Sequence, residues 1–281
     1  MTLHDYGVVC AKRSLWYRGS ACTGPEFSKC LHCAATNYGT ARGMAITLGN
    51  WATAPLETAA VDMYLPVSNA VVRGNQLAER ELPFEVVPNF VPDDVAETAD
   101  CEDPALARLP DGPYWLFVGT LSRNKGIHVL LDAYRQIDDP PPLVVVGSRL
   151  PDTPARFPDG VIEINDLAHG AVMAAWQRAE IGIVPSVFPD PCPTVAIEAM
   201  TAGVPVVASA IGGLTDIVAD GESGRLVPER DPGALATALR ELARSKAKRM
   251  KMGRSGRARA RSFMAGSVLG RVEDVYGRVA A

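Results

Sequence analysis

Asp190 and Glu198 are the two carboxylates whose spacing suggests chemistry, in the run Asp190-Pro-Cys-Pro-Thr-Val-Ala-Ile-Glu198. Pro193 suits a first helical turn, because the N–H it lacks would be unsatisfied there anyway. Thr194 to Ala202 then predicts a helix stopped by Gly203, and Val204 to Ala208 a buried strand. A helix start facing a cleft offers free N–H groups, here those of Thr194 and Val195, and the positive end of the helix dipole. That combination suits a phosphate or a sugar hydroxyl. Glu198, about one turn deeper, can reach two vicinal hydroxyls such as those of a ribose. Upstream, Phe117-Val-Gly119-Thr120-Leu-Ser-Arg123-Asn-Lys125-Gly126 reads as a strand, a loop with two cations and a helix start. Lys and Arg at such a place form a clamp for a diphosphate. Downstream, the paired Gly212 and Gly213 lack side chains and permit a close backbone approach to a ligand.

The elements that must carry these residues follow from periodicity. Residues 1–65 hold a loop-like, Cys-rich section and then a helix from Ala41 to Ala60. Val61 to Val67 predicts a strand, Ala70 to Glu81 a helix, and Phe84 to Val87 a short strand. Residues 93–113 are acidic and Pro-bearing and read as a linker between two domains. From Tyr114 the pattern is regular. Strands are predicted at Trp115 to Val118, Pro142 to Val146, Gly160 to Ile164 and Ile181 to Val184, alternating with helices at Gly126 to Gln136 and Gly170 to Ala179. That alternation argues for βαβ units, a parallel sheet and a doubly wound α/β fold. Pro232 to Ala247 and Ser262 to Ala281 are the last predicted helices. Each strand end then presents a loop to the same edge: Gly119 to Lys125, Asn165-Asp166-Leu167, and Asp190 to Thr194.

The bulk composition sets limits. The 281 residues suffice for two cores, and 47% hydrophobic with 21% charged residues is ordinary for a globular protein. A net charge of −4 gives no general attraction to nucleic acid. No apolar run is long enough to span a bilayer, and Met1 leads directly to His4-Asp5 without a signal-peptide pattern, so a cytoplasmic location is expected. Of six Cys, four cluster: Cys10, Cys22, Cys30 and Cys33. In a reducing compartment such clustering fits either a structural thiolate zinc site or plain reduced thiols, and the spacing leaves both open. Arg244 to Arg261 is densely basic and reads as a solvated helix and loop, with a peripheral contact to anionic lipid as the alternative.

The 190–198 segment resembles the acidic-x7-Glu motif of the retaining glycosyltransferases of family 4, the group 1 type with the GT-B fold. Asp190 stands where that family usually has Glu, and Cys192-Pro193 where it has Phe-Gly. Phe117 to Gly126 resembles its Gly-Arg-Leu-x-x-x-Lys-Gly segment. Lys125 matches the lysine, while Thr120 replaces the arginine, leaving Arg123 as the nearby substitute. The resemblance extends to Gly212-Gly213, to Pro185-Ser186, and to His4-Asp5, the family's His-Asp at a strand end. It implies a GT-B-like architecture of two Rossmann-like, doubly wound domains, the N-terminal one incomplete. Residues 1–92 would form the partial acceptor-side domain, 93–113 the linker, 114–261 the nucleotide-sugar domain, and 262–281 a helix crossing back to the first domain.

The implied reaction moves a sugar from a nucleotide-diphosphate sugar to a hydroxyl acceptor with retention of anomeric configuration. Lys125, Arg123 and helix N-termini would hold the diphosphate without a cofactor, and Gly119 and Thr120 would belong to the same donor-binding loop. Glu198 would hold the ribose, and Asp190 the hydroxyls of the transferred sugar. His4 would face that sugar, while Asn165, Asp166 and Leu167 would read the base. Glycans, lipid-linked molecules and small molecules are the implied acceptors, with a peripheral contact at the inner membrane face for lipid-linked ones. Family members begin with several βα units and a Gly-rich loop, so the resemblance implies roughly a hundred residues before Met1 at about thirty per unit. A non-catalytic nucleotide-sugar-binding fragment is the alternative. An epimerase or phosphorylase of the same fold would need acid/base or cofactor-lysine features, and none is evident in the sequence.

Overall fold

The computed structural model describes residues 1–165 and 167–280. The N-terminal part holds β1 (Thr2–Leu3), a small antiparallel pair of β2 (Trp16–Tyr17) and β3 (Ser20–Ala21), the helices α1 (Phe27–Tyr38) and α2 (Thr40–Ala59), β4 (Leu65–Pro66) and α3 (Asn69–Gly74). The C-terminal part has β5 (Trp115–Val118), α4 (Ile127–Tyr134), β6 (Leu143–Val146), β7 (Val161–Ile164), α5 (His169–Arg178) and β8 (Ile181–Val184). These are followed by α6 (Thr194–Thr201), β9 (Val206–Ser209), α7 (Leu214–Ile217), β10 (Gly224–Val227), α8 (Pro232–Ala243), α9 (Lys246–Ala260) and α10 (Ala265–Ala280).

Six strands form one parallel sheet in the order β10-β9-β8-β5-β6-β7. β5, β6, β8 and β9 are almost wholly buried, because helices cover both faces, and their side chains are apolar except for Ser209 at the end of β9. Trp115, Phe117 and Ile183 face α4 and α8, while Leu116, Val144 and Val184 face the other layer with α5 and α6. The chain winds outward from β5 in both directions, so the strand order reverses between β5 and β8. In open α/β sheets a ligand crevice lies outside the carboxyl ends of the strands at that point. Gly126 seals the floor of this region. Its φ is +78°, and a Cβ there would lie 1.8 Å from the Pro185 carbonyl oxygen.

The N-terminal part is a parallel ladder of short strands. β1 pairs with β4, and the segment around Phe84 continues it through Tyr64 N–H to Pro83 O at 2.9 Å and Val87 N–H to Pro66 O at 3.0 Å. The predicted strand over 61–67 is thus confined to its last residues, where partners exist. The helix predicted over 70–81 ends at Gly74, because Asn75 turns its amide back to the Asp5 and Val71 carbonyls and Gln76 adopts φ +56°. Ser68 caps its start by accepting from Val71 N–H. α1 and α2 cross in tight contact at Gly43, where a Cβ would meet the Ala34 backbone at 2.4 Å. Met44, Leu48, Trp51 and Leu56 lie exposed on α2.

Residues 93–113 are strapped down. Val95, Leu106 and Leu109 are buried, and Asp100 N–H reaches the Gly170 carbonyl at 3.0 Å. The helix predicted over 232–247 divides in two at Ser245, whose side chain caps α9 by accepting from Lys248 N–H. The basic stretch expected as solvated helix and loop is helical to Ala260 and packs on α6. Met252, Gly253, Gly256 and Ala260 are buried, and Arg257 closes the end of α6 by donating to the Thr201 and Ala202 carbonyls. α10 lies against the N-terminal part. Val91 N–H donates to the Phe263 carbonyl at 3.0 Å and Ala265 N–H to the Val91 carbonyl at 2.9 Å, and Val268 and Val275 pack on Leu65 and Val87. No helix among the described residues is long and apolar enough to cross a membrane.

Gly126→Ala is expected to destabilise the fold by about 2–3 kcal/mol, from the clash with Pro185 and the positive φ together. Urea denaturation monitored by tryptophan fluorescence measures it.

Candidate functional site

A cleft of about 540 Å³ lies at the β5/β8 reversal, near the sheet's carboxyl edge. Val118 and Gly119 at the end of β5 and Val184 and Ser186 at the end of β8 form its floor. The start of α6 forms one wall with Pro193, Thr194, Val195 and Glu198. Leu167, His169 and Val172 form the opposite wall, and Lys125, Asp190 and Asn89 close it. A cleft of this size suits a small organic ligand.

Its polar groups converge. The Lys125 ammonium is ion-paired with the Asp190 carboxylate, whose side chain is 12% exposed. Lys125 leads into α4, and its own N–H reaches the Ser122 hydroxyl at 3.3 Å. Asp190 is placed by a rigid backbone: its carbonyl accepts from Gly213 N–H at 2.7 Å, and the preceding Pro189 carbonyl accepts from the Tyr6 hydroxyl at 2.7 Å. Burial, and then the Asp190 charge, raise the Tyr6 hydroxyl pKa well above its usual value, so this donor stays protonated. Glu198, with a side chain 13% exposed, faces His169 Nε2 at 3.5 Å. In a half-buried lysine–carboxylate pair beside the free N–H groups of a helix start, the ammonium can exchange its internal partner for a phosphate, because the ammonium, the N–H groups and the helix dipole all favour an anion.

The sequence-predicted residues divide by place. Gly119, Lys125, Leu167, Asp190, Thr194, Val195 and Glu198 line the cleft together. Thr120, Arg123 and Asn165 are exposed and outside that lining, with Arg123 N–H bound to Asp152 at 2.8 Å. Asp166 lies outside the described residues. Gly212 and Gly213 are buried, and they approach protein rather than open cleft. Cβ atoms there would fall 2.4 Å from the Asp190 carbonyl oxygen and 2.1 Å from the Pro191 carbonyl oxygen. Their small size therefore lets the 189–192 loop close down. His4 stands just beyond the cleft, with Nδ1 3.1 Å from Asn89 Oδ1. Asn89, His169 and Ser186 were missed as site residues or given no ligand role. Asn89 and His169 are single polar residues at loop ends, and sequence spacing alone does not tie them to the motif.

Cys10, Cys22, Cys30 and Cys33 do meet in space, around one small cavity with Lys12 and Trp16. The donor set suits zinc. As placed, however, Cys22 Sγ lies 3.4 Å from the Gly24 carbonyl and Cys30 Sγ accepts from Glu26 N–H at 3.5 Å. No group of three or more His, Cys, Asp or Glu among the described residues is gathered as a metal site. Cys192, in the loop between Asp190 and α6, is buried, and that burial pushes its thiol pKa up to about 12. It stays a neutral thiol at physiological pH and packs rather than reacts.

Alkylation of the native protein with iodoacetamide at pH 8 is expected to label exposed Cys101 and spare Cys192, whose thiolate forms only as the pH nears 12. Peptide mass spectrometry before and after denaturation reads this directly.

Comparison with known proteins gives the family and the fold. Residues 102–259 match the family model described as glycosyl transferases group 1. A D-inositol 3-phosphate glycosyltransferase of Xylanimonas cellulosilytica is 32% identical over 184 residues, covering 60% of this chain and 43% of that protein. A phosphatidyl-myo-inositol mannosyltransferase of Mycobacterium leprae is 32% identical over 203 residues, covering 69% of this chain and 53% of that protein. The chain thus spans about half the length of these relatives. Among solved structures, a sucrose-phosphate synthase from Thermosynechococcus elongatus superposes with a TM-score of 0.68 at 26% identity, covering 84% of this chain and 62% of that one. The Anabaena protein HepE in complex with UDP-glucose gives 0.69 at 17% identity, covering 90% and 77%. The fold is that of the GT-B glycosyltransferases.

Proposed function

We propose a sugar transfer for this chain, which belongs to the group 1 glycosyl transferases. The donor is a nucleotide-diphosphate sugar, the acceptor a hydroxyl group, and the anomeric configuration is retained. The observation that carries this reading is the Lys125–Asp190 pair beside the α6 N-terminus, at the sheet reversal where Glu198 also points into the cleft.

Transfer builds negative charge on the leaving diphosphate, so groups that stabilise that charge lower the barrier most. Lys125 turns from Asp190 to the diphosphate, and the N–H groups of Thr194 and Val195 add their dipoles. Asp190, released from its lysine, accepts from hydroxyls of the transferred sugar. Glu198 accepts from both ribose hydroxyls, with His169 on its outer side, and Leu167 lies where the base would rest. His4 stands toward the sugar on the N-terminal side. Among the described residues of the N-terminal part, Asn89 alone reaches the cleft lining. That observation favours a second reading, nucleotide-sugar binding without transfer, which a transfer assay run beside the binding measurement separates.

For the acceptor, the relatives' names support an inositol-bearing molecule, free or lipid-linked. Exposed Lys246, Lys251 and Arg254 on α9 would favour an anionic surface for a lipid-linked one. A structural zinc on Cys10, Cys22, Cys30 and Cys33 would require the four sulfurs to converge on metal binding. One zinc per chain in untagged protein supports it, and four titratable thiols without metal reject it.

Glu198→Gln and Lys125→Ala are each expected to weaken uridine diphosphate binding about tenfold or more, since one charge-assisted contact contributes about 1.5–3 kcal/mol. Isothermal titration gives the affinities and circular dichroism confirms the fold. Unchanged binding in both variants would refute the site.

A further inference from the structure

We infer that Asn89 is a positioning residue that holds His4 as its Nδ1–H tautomer, so that Nε2 is left as a hydrogen-bond acceptor. Three contacts lead there. Asn89 Nδ2 lies 3.1 Å from the Cys192 main-chain oxygen. A carbonyl oxygen only accepts, so the amide nitrogen must face it, and this fixes which end of the Asn89 amide is which. The other end, Oδ1, lies 3.1 Å from His4 Nδ1. An amide oxygen also only accepts, so Nδ1 must carry the proton. A neutral imidazole has one N–H, and Nε2 then keeps its lone pair.

The Asn89 backbone is anchored on both sides. Val87 N–H binds the Pro66 carbonyl at 3.0 Å and Val91 N–H binds the Phe263 carbonyl at 3.0 Å, so the amide is presented from a fixed loop. Cys192 lies two residues after Asp190 and directly before Pro193, which precedes α6. One amide therefore links the His4 ring to the loop that carries Asp190 and the α6 N-terminus. The chemistry this selects is a sugar hydroxyl donating to Nε2, in preference to a group that can only accept, such as a carboxylate. That consequence rests on the nucleotide-sugar reading of the cleft; the tautomer itself does not.

The test is ¹⁵N NMR of the histidine side chains in the full chain at pH 8, with His4→Gln assigning the signal. The wild type is expected to show a protonated-type Nδ1 and an unprotonated-type Nε2 for His4. Asn89→Ala is expected to move the tautomer ratio toward Nε2–H by about five- to tenfold, the loss of one hydrogen bond. Asn89→Asp keeps an acceptor for Nδ1 and is expected to retain the wild-type form, which keeps the test open if the alanine variant fails to fold. A wild-type His4 in the Nε2–H form, or a ratio untouched by Asn89→Ala, overturns the inference. Titration of uridine diphosphate into the same samples separates the two readings: absent binding with the Nδ1–H form intact removes the donor site and leaves the tautomer standing.

Discussion

The structure depends on close backbone packing at the carboxyl edge of the parallel sheet. Three loops meet there, and at each meeting point a carbonyl oxygen occupies the place of a missing Cβ. Gly126 lies against Pro185, and Gly213 against Pro191. With no side chains between them, the loops after β5, β8 and β9 can move little relative to one another, which holds Lys125 and Asp190 in register. Preorganisation of this kind is what electrostatic stabilisation needs, because charges that are already oriented cost nothing to align when the ligand arrives.

The electrostatics follow from that rigidity. Asp190 is nearly buried, and a buried charge without a partner is costly. Lys125 supplies the partner in the absence of ligand. An anionic ligand would compete for the same ammonium while leaving the carboxylate free to accept hydroxyls. Cys192 completes the loop as a neutral, packed side chain, with burial keeping its thiol protonated.

The N-terminal part contributes through contacts to this same loop more than through a pocket of its own. Tyr6 holds the Pro189 carbonyl, Asn89 holds the Cys192 carbonyl, and the Asp216 carboxylate of α7 accepts from Asn69 N–H at 2.6 Å. These few polar bridges, with α10 packed on Leu65 and Val87, join the two parts across the cleft. The exposed apolar row on α2 stands away from all of them.

Much of this was legible in the sequence. Alternating apolar strands and helices from Tyr114 onward pointed to the parallel sheet, because strands buried on both faces are nearly continuously apolar and parallel neighbours need long crossover connections, most of them helical here. The spacing from Asp190 to Glu198, the start of α6 and Lys125 at a helix start were likewise readable, since each is local. The sequence misjudged elements whose limits are set by distant partners. The helix after Ser68 ends where Asn75 finds Asp5, and the basic helix is anchored by carbonyls of α6. Only the tertiary structure decided that Lys125 pairs with Asp190 across 65 residues, that Gly212 and Gly213 make room for a loop, and that Asn89 joins His4 to Cys192. Local pattern fixes which residues enter a helix or strand. Which side chains meet across a cleft depends on how the chain's windings bring strand ends together, and single residues far apart in sequence carry no periodic signal of that meeting.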